Sequence, residues 1–558
     1  MSAYGDMRRY LNLTYIIWVT AIITLIITVA YPLFMLIYRS LFTGSQLTLG
    51  AYKKMIEDPH TLEYTLNTLK LGVLATLFSI LVGVPLAWIV TRTDIPLKNL
   101  IKTLAILPFI FPPYIGAIAW IQLAAPYIGY INRISRALGF GDIVNIYSFW
   151  GLVLVMSLRY YVYVFLTTRA ALEQMDPSLE EAARMSGARM LKVAKDITLP
   201  LVTPSITSGA LLTFVAACAN FGIPALIGER ARYYVLTTKI YSVLAIPDLD
   251  RATAYSMILL LITGIALFIQ RRAFKGKKFT TITGRTARPS VALLGKWRIP
   301  ILVLLLVFLI LASVIPLISL IISAFLKNIA GSPLDPNNLT LENFRKVLFV
   351  DRDTTIAVRI SLFSALISAT VITLFGALLA YIIVKTRIRG RLFLDWLSSV
   401  PYALPGTVVA VAIIFGFIKT PIFNTIWIIP FAYFVRYLSY GVRTTIGSLL
   451  QIDPSLEEAS RMSGANWLTT MKNIVLPLIK PGLIAGWILV FMPTLSELTV
   501  SIILYPPNMP TIGVATFNLM DAGYYTWAYA LSSIVVFIVV ICHLILRKIT
   551  GKFGVRGF

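Results

Sequence analysis

The sequence predicts an all-α, polytopic membrane protein built from two parallel six-helix repeats. Three observations carry this. The 558 residues are 58% hydrophobic and 13% charged, against about 45–50% and 25% in soluble domains. The apolar residues fall in continuous runs of roughly 20, the length that spans a bilayer as a helix. The polar connection between the fourth and fifth runs recurs almost unchanged in the second half. A β-barrel is excluded because its strands would alternate apolar and polar residues.

The apolar runs lie at 14–38, 66–91, 103–125, 147–171, 201–227 and 253–270, then at 299–323, 358–384, 393–418, 422–446, 479–504 and 528–546. These are about twelve expected transmembrane helices, six on each side of a linker, 271–298, that holds nine Lys/Arg and no acid. The boundary is placed there, giving domains 1–285 and 286–558. The first run exceeds the core of a cleavable signal, so none is expected.

The net charge of +25 does not indicate a nucleic-acid partner, because Lys and Arg concentrate in the loops. With the N-terminus inside and twelve crossings, the inner segments carry 28 Lys/Arg and the outer ones 14. The positive-inside rule then places both termini in the cytoplasm of a cell or inner membrane. Two cysteines in apolar runs and two histidines suggest neither a disulfide nor a metal centre.

The repeat is the strongest local signal. DPSLEEAARMSGA at 176–188 returns as DPSLEEASRMSGA at 453–465, twelve of thirteen positions identical at an offset of 277. Leu199-Pro200 and Leu476-Pro477 extend the match, as do Arg159-Tyr160 and Arg436-Tyr437. Near the start of each half the offset is 292, so the first half contains an insertion around 126–146. Chance similarity of apolar sequence would not conserve polar residues best. The equal number of preceding spans makes the repeats parallel, related by an axis along the membrane normal.

Each repeated loop, 172–200 and 449–477, reads as a short capped helix. Asp176 and Asp453 suit the N-cap and the following Pro the first turn. Glu180, Glu181, Glu457 and Glu458 favour the positive helix start. Gly187 and Gly464 supply a left-handed stop. A second short helix is expected to run to Pro200 or Pro477, where the fifth span opens.

These residues resemble the signature of binding-protein-dependent ABC importer permeases of type I: Glu181-Ala182-Ala183 with Gly187 and Leu199-Pro200, and Glu458-Ala459-Ser460 with Gly464 and Leu476-Pro477. Ser460 departs from the pattern by one small residue. The resemblance implies coupling helices that dock on two copies of a cytoplasmic ABC ATPase, with Glu180, Glu181, Ala182, Ala183, Gly187, Glu457, Glu458, Ala459, Ser460 and Gly464 at the contact. It implies an external solute-binding protein that delivers cargo, and ATP with Mg on the partner subunits. This chain is expected to bind no cofactor or metal and to catalyse nothing. No G-x-x-x-x-G-K-[ST] occurs in it.

The fused layout and ELTVSIIL at 497–504 resemble ferric-iron permeases, so ferric iron is the first expected cargo. Thiamine, polyamines and oxyanions or phosphonates are the alternatives. Ionisable residues inside a membrane are costly and usually face an interior path. Arg159, Asn220, Arg436 and Glu497 are therefore candidate path residues, with Glu497 held ionised by a nearby Arg. Structural pairing between helices explains them equally well. An ion-coupled secondary transporter using Glu497 is a further alternative, which the paired docking motifs disfavour. A membrane-embedded enzyme is disfavoured because no H-E-x-x-H or Gly-x-Ser-x-Gly is present.

Overall fold

The computed structural model describes residues 15–43, 46–274, 291–386 and 388–552. The expected boundary at 285/286 lies outside these residues. In chain order the first half contains α1 (Tyr15–Leu41), α2 (Thr61–Arg92), α3 (Lys98–Ile110), α4 (Pro113–Ala124), α5 (Tyr130–Ala137), α6 (Phe149–Gln174), α7 (Ser178–Met185), α8 (Ala194–Cys218), α9 (Leu236–Ala245) and α10 (Leu249–Phe274). The second half contains α11 (Gly295–Ala324), α12 (Arg352–Lys385), α13 (Arg391–Ser399), α14 (Gly406–Phe417), α15 (Ile428–Leu449), α16 (Pro454–Met462), α17 (Trp467–Leu495), α18 (Ser501–Leu504), α19 (Ile512–Asp521) and α20 (Tyr525–Lys552).

Among the described residues nine helices are long and apolar enough to cross a membrane, and two bent pairs raise this to eleven. The twelfth expected run is α15. Arg436 and Arg443 lower its hydropathy, and its neighbours bury it: Ile429, Ala432, Tyr433 and Leu438 are fully enclosed.

The bent pairs correct the runs expected at 103–125 and 393–418. Helices α3 and α4 meet at 102°, and the segment 391–402 meets α14 at 111°. Proline is the cause. Pro112 and Pro113 lack N–H groups, and the residue before a proline is pushed out of the helical region. Phe111 is accordingly extended at φ −91°, ψ 154°. Leu404, before Pro405, is extended at φ −93°, ψ 139°.

The fifth spans differ from expectation at both ends. Pro200 and Pro477 do not open them. The helix continues through each proline behind a wider π turn, over Ala194–Thr198 and Met471–Val475. At the other end the helices stop at Cys218 and Leu495, well short of 227 and 504. A non-helical break follows, then a short turn over Pro224–Gly228 or α18.

The halves exchange their first helices. α1 packs on α14 of the second half, and α11 packs on α3 and α4 of the first. The insertion folds as α5, whose Arg133 donates to Ile329 O at 3.1 Å and Gly331 O at 2.8 Å in the second half. The small polar or weakly apolar positions of the spans let helices approach closely. A Cβ on Gly83 would meet the α6 backbone at 2.9 Å, and one on Gly376 the α15 backbone at 2.7 Å.

Candidate functional site: two docking brackets and a midspan arginine pair

The brackets form as their sequence dictates. Asp176 Oδ1 accepts from the Ser178 N–H at 2.9 Å, and Asp453 Oδ1 from the Ser455 N–H at 2.9 Å. These bonds hold both carboxyls below the ordinary value of 3.8. Gly187 and Gly464 both have φ +82°, the left-handed conformation that ends α7 and α16 without steric cost.

Within each Glu-Glu pair the two acids separate, because successive helical residues point about 100° apart. Glu180 turns inward. It pairs with Arg92 Nε at 3.1 Å, both side chains being 2% exposed, and accepts from the Thr198 hydroxyl at 2.6 Å. Glu457 pairs with Lys385 Nζ at 2.7 Å. Arg92 and Lys385 are the last residues of α2 and α12. Sequence reasoning missed both cations, although each ends the second span of its half.

Glu181, Glu458, Ala182 and Ala459 are exposed. Beside them Met185 and Met462 are 89% and 88% exposed. The bracket thus presents an acid, a small residue and a bare thioether outward, on a helix pinned from behind. Ala183 is half-buried. Ser460, the departure from the pattern, has its hydroxyl 2.8 Å from that of Thr470, where the first half has Val193 beside Ala183.

In the membrane, Asn220 and Glu497 occupy matched places and do the same work. Each caps the short helical turn after the break in its fifth span. Asn220 Oδ1 accepts from the Ile223 N–H at 2.9 Å, and its amide donates to the Tyr160 hydroxyl at 2.8 Å. The Glu497 carboxylate accepts from the Val500 N–H at 3.0 Å, the Ser501 N–H at 2.9 Å and the Ser501 hydroxyl at 2.8 Å. Its partners are backbone and hydroxyl donors. Among the described residues no direct ion pair joins it to an arginine, but Arg436 lies within electrostatic reach of it, the nearby arginine that was expected.

Arg159 and Arg436 sit on α6 and α15. The Arg159 guanidinium lies 4.6 Å from the Phe109 ring centroid and 5.6 Å from that of Tyr160. Arg436 lies 5.6 Å from the Tyr437 ring. Gly406, at the bend, makes room for it: a Cβ there would collide with Arg436 Nη1. Buried Nε and Nη1 of Arg159 and Nη1 of Arg436 have no hydrogen-bond partner. Around them stand Tyr163, 5.1 Å from Phe109, and Tyr440, 5.7 Å from Tyr402. The tyrosines were also missed, yet extending the repeat by three residues gives R-Y-x-x-Y in both halves.

The model of the binding-protein-dependent transport system inner membrane component family matches residues 76–278 and 372–550. The ferric transport system permease protein FbpB of Actinobacillus pleuropneumoniae is 25% identical over 531 residues, covering 94% of this chain and 76% of its own length. The putative ferric transport system permease protein FbpB 1 of Haemophilus influenzae is 27% identical, covering 86% of this chain and 75% of its own. The sulfate transport system permease protein CysT of Salmonella typhimurium is 26% identical over 40% of this chain and 80% of its own. A bacterial ABC transporter that imports alginate aligns in structure over 50% of this chain and 100% of its own, at 20% identity and TM-score 0.43. The family model covers most of both halves, and the chain belongs to the binding-protein-dependent transport system inner membrane components.

Proposed function

We propose that this chain forms the membrane path of an ABC importer that takes ferric iron from an external binding protein. Two ATPase subunits dock on α7 and α16 from the cytoplasm, one per bracket. Their closure on ATP and Mg moves the brackets. The Arg92–Glu180 and Lys385–Glu457 pairs pass that motion to the second spans, and the path alternates between outside and inside. The observation that carries the docking is the matched outward set of Glu181, Met185, Glu458 and Met462, anchored from behind by buried acids. The ferric reading is supported by relatives that share the fused layout over most of the chain.

An oxyanion is the second reading, favoured by the arginine pair and by the sulfate permease relative. The test is reconstitution of the chain with its ATPase and binding protein in proteoliposomes. Uptake of radiolabelled iron that requires all three components and ATP supports the first reading. Uptake of sulfate but not iron replaces it with the second.

A further inference from the structure

Arg159 and Arg436 occupy matched midspan places on α6 and α15. On α6 the residues Arg159, Tyr163 and Thr167 are all partly accessible, and on α15 so are Arg436, Tyr440 and Thr444. Each arginine and the tyrosine four residues on share one helix face running toward the bracket, while Thr167 and Thr444 turn onto Gly209 of α8 and Gly486 of α17. On the other side of the arginines the same helices are sealed: Leu152, Met156, Ile429 and Tyr433 are fully buried. The breaks in the fifth spans complete the seal. The Phe221 ring lies 6.1 Å from that of Phe517 across the two halves, and Leu498 packs beside Gly222. Tyr402, at the bend, is 52% exposed. The helices are therefore tightly packed on the side of the arginines away from the brackets and less so on the side toward them.

The two faces meet at the arginines. Arg159 is within electrostatic reach of Tyr440 of the other half, and Arg436 of Tyr160. Two guanidinium charges so placed are costly unless something neutralises them. Glu497 lies within electrostatic reach of Arg436 alone, with its oxygens engaged by its own cap, and aromatic faces compensate only in part, so one of the two charges has no acid near it. Three buried guanidinium nitrogens still point at no acceptor. Among the described residues no cluster of three His, Cys, Asp or Glu could hold a metal ion, so a bare trivalent cation would meet two positive charges.

We infer that this arginine pair is an oxyanion site. Arg159 and Arg436 receive carboxylate, sulfate or phosphate oxygens from opposite halves, and the hydroxyls of Tyr163 and Tyr440 donate beside them. Guanidinium is suited to this because its planar fork matches an oxyanion in geometry and charge. Cargo then passes the middle of the membrane as an anion or as a metal held in an anionic chelate. The inference rests on the transport reading above and specifies the charge of what is transported.

The test is equilibrium binding to the purified full-length chain in lipid nanodiscs. The probes are citrate, ferric citrate, sulfate and inorganic phosphate, with spermidine as the cationic control. Oxyanion binding is expected without spermidine binding. Arg159→Gln with Arg436→Gln should weaken it by about tenfold to a hundredfold, the loss of charged hydrogen bonds. Arg159→Lys with Arg436→Lys should fall between and serves if the first variant does not fold. Tighter binding of ferric citrate than of sulfate or phosphate identifies a chelate as occupant, and the reverse a free oxyanion. Wild-type chain that binds none of the four, or lysine and glutamine variants that bind as well as wild type, overturns the site. Iron uptake that fails while arginine-dependent oxyanion binding persists removes the ferric reading and leaves the site standing.

Discussion

Arg92 Nε lies 3.1 Å from Glu180 Oε2 at the point where the second span meets the first bracket, and both side chains are excluded from solvent. Lys385 and Glu457 repeat the contact in the second half at 2.7 Å, with side chains 12% and 10% exposed. A buried pair is weak evidence for net stability, but removing one partner strands a charge. Arg92→Met should therefore destabilise the chain by about 3 kcal/mol. Lys385→Met should cost less, because the more accessible Glu457 can be rehydrated. Thermal unfolding of the detergent-solubilised chain checks the order, and equal costs would contradict it.

Glu181 and Glu458 face outward, so replacing them should leave the fold intact and act on the partner alone. Glu181→Lys with Glu458→Lys should abolish ATPase co-purification and binding-protein-stimulated hydrolysis with an unchanged melting temperature. Either substitution alone should leave partial function, since the second bracket is nearly identical. Full stimulated hydrolysis in the double variant would remove the docking assignment.

Glu497 caps a break in the fifth span through several donors, some on the backbone. Glu497→Ala strands those donors and should cost about 2 kcal/mol. Glu497→Gln keeps one acceptor oxygen and should cost less than half of that. If Gln and Ala cost the same in a melting series, the cap is not what holds the residue.

The caps Asp176 and Asp453 have carboxyls held below 3.8 by the N–H groups they accept from. A carboxyl lowered on folding stabilises the folded bracket above its unfolded value, and that contribution is lost as pH falls through the folded value. ATPase docking should thus be insensitive to these groups at neutral pH and weaken below about pH 4. Asp176→Asn with Asp453→Asn keeps a capping oxygen and should flatten that acid limb of a co-purification profile.

The Lys/Arg bias predicts that the brackets lie inside and the segment between α11 and α12 outside. Asn338 is a poor external probe of this, since it is buried and its amide donates to Asn328 O at 3.0 Å and Ser332 O at 3.2 Å. Leu334 is 90% exposed and Met185 89%. In sealed cells an impermeant thiol reagent should label Leu334→Cys and not Met185→Cys. The opposite pattern would invert the topology.

The spans and the duplication were legible because a bilayer demands a run of fixed length and because the repeat is charged. The interruptions were not. Phe111, Ala219 and Ser496 lie inside apolar sequence, and composition is blind to a helix that stops within it. Pro112-Pro113 is the one signal of a break that the apolar run 103–125 carries. The bracket was legible as a unit, but the opposite directions of Glu180 and Glu181 depend on where the end of α2 arrives. That is a tertiary fact, absent from the loop. Asn220 and Glu497 were aligned correctly by counting from Pro200 and Pro477. What they do there required knowing that the chain leaves the helix at those residues.

Near-identical brackets also sit in unequal mechanical surroundings. Ala292, at the end of the linker, bridges Thr93 like a strand, donating to Arg92 O at 2.7 Å. Arg184 on α7 donates to Val291 O at 3.3 Å, and Asp94 lies 3.6 Å from Arg298 at the head of α11. Residues 291–298 thus lie against the ends of α2 and α7 and lead into α11. α7 is linked through these residues to the head of α11, while the end of α12 has its own linkage to α16. Were the two brackets pushed alike, the two halves would receive the push through different contacts, an asymmetry that two separate copies of one subunit would lack.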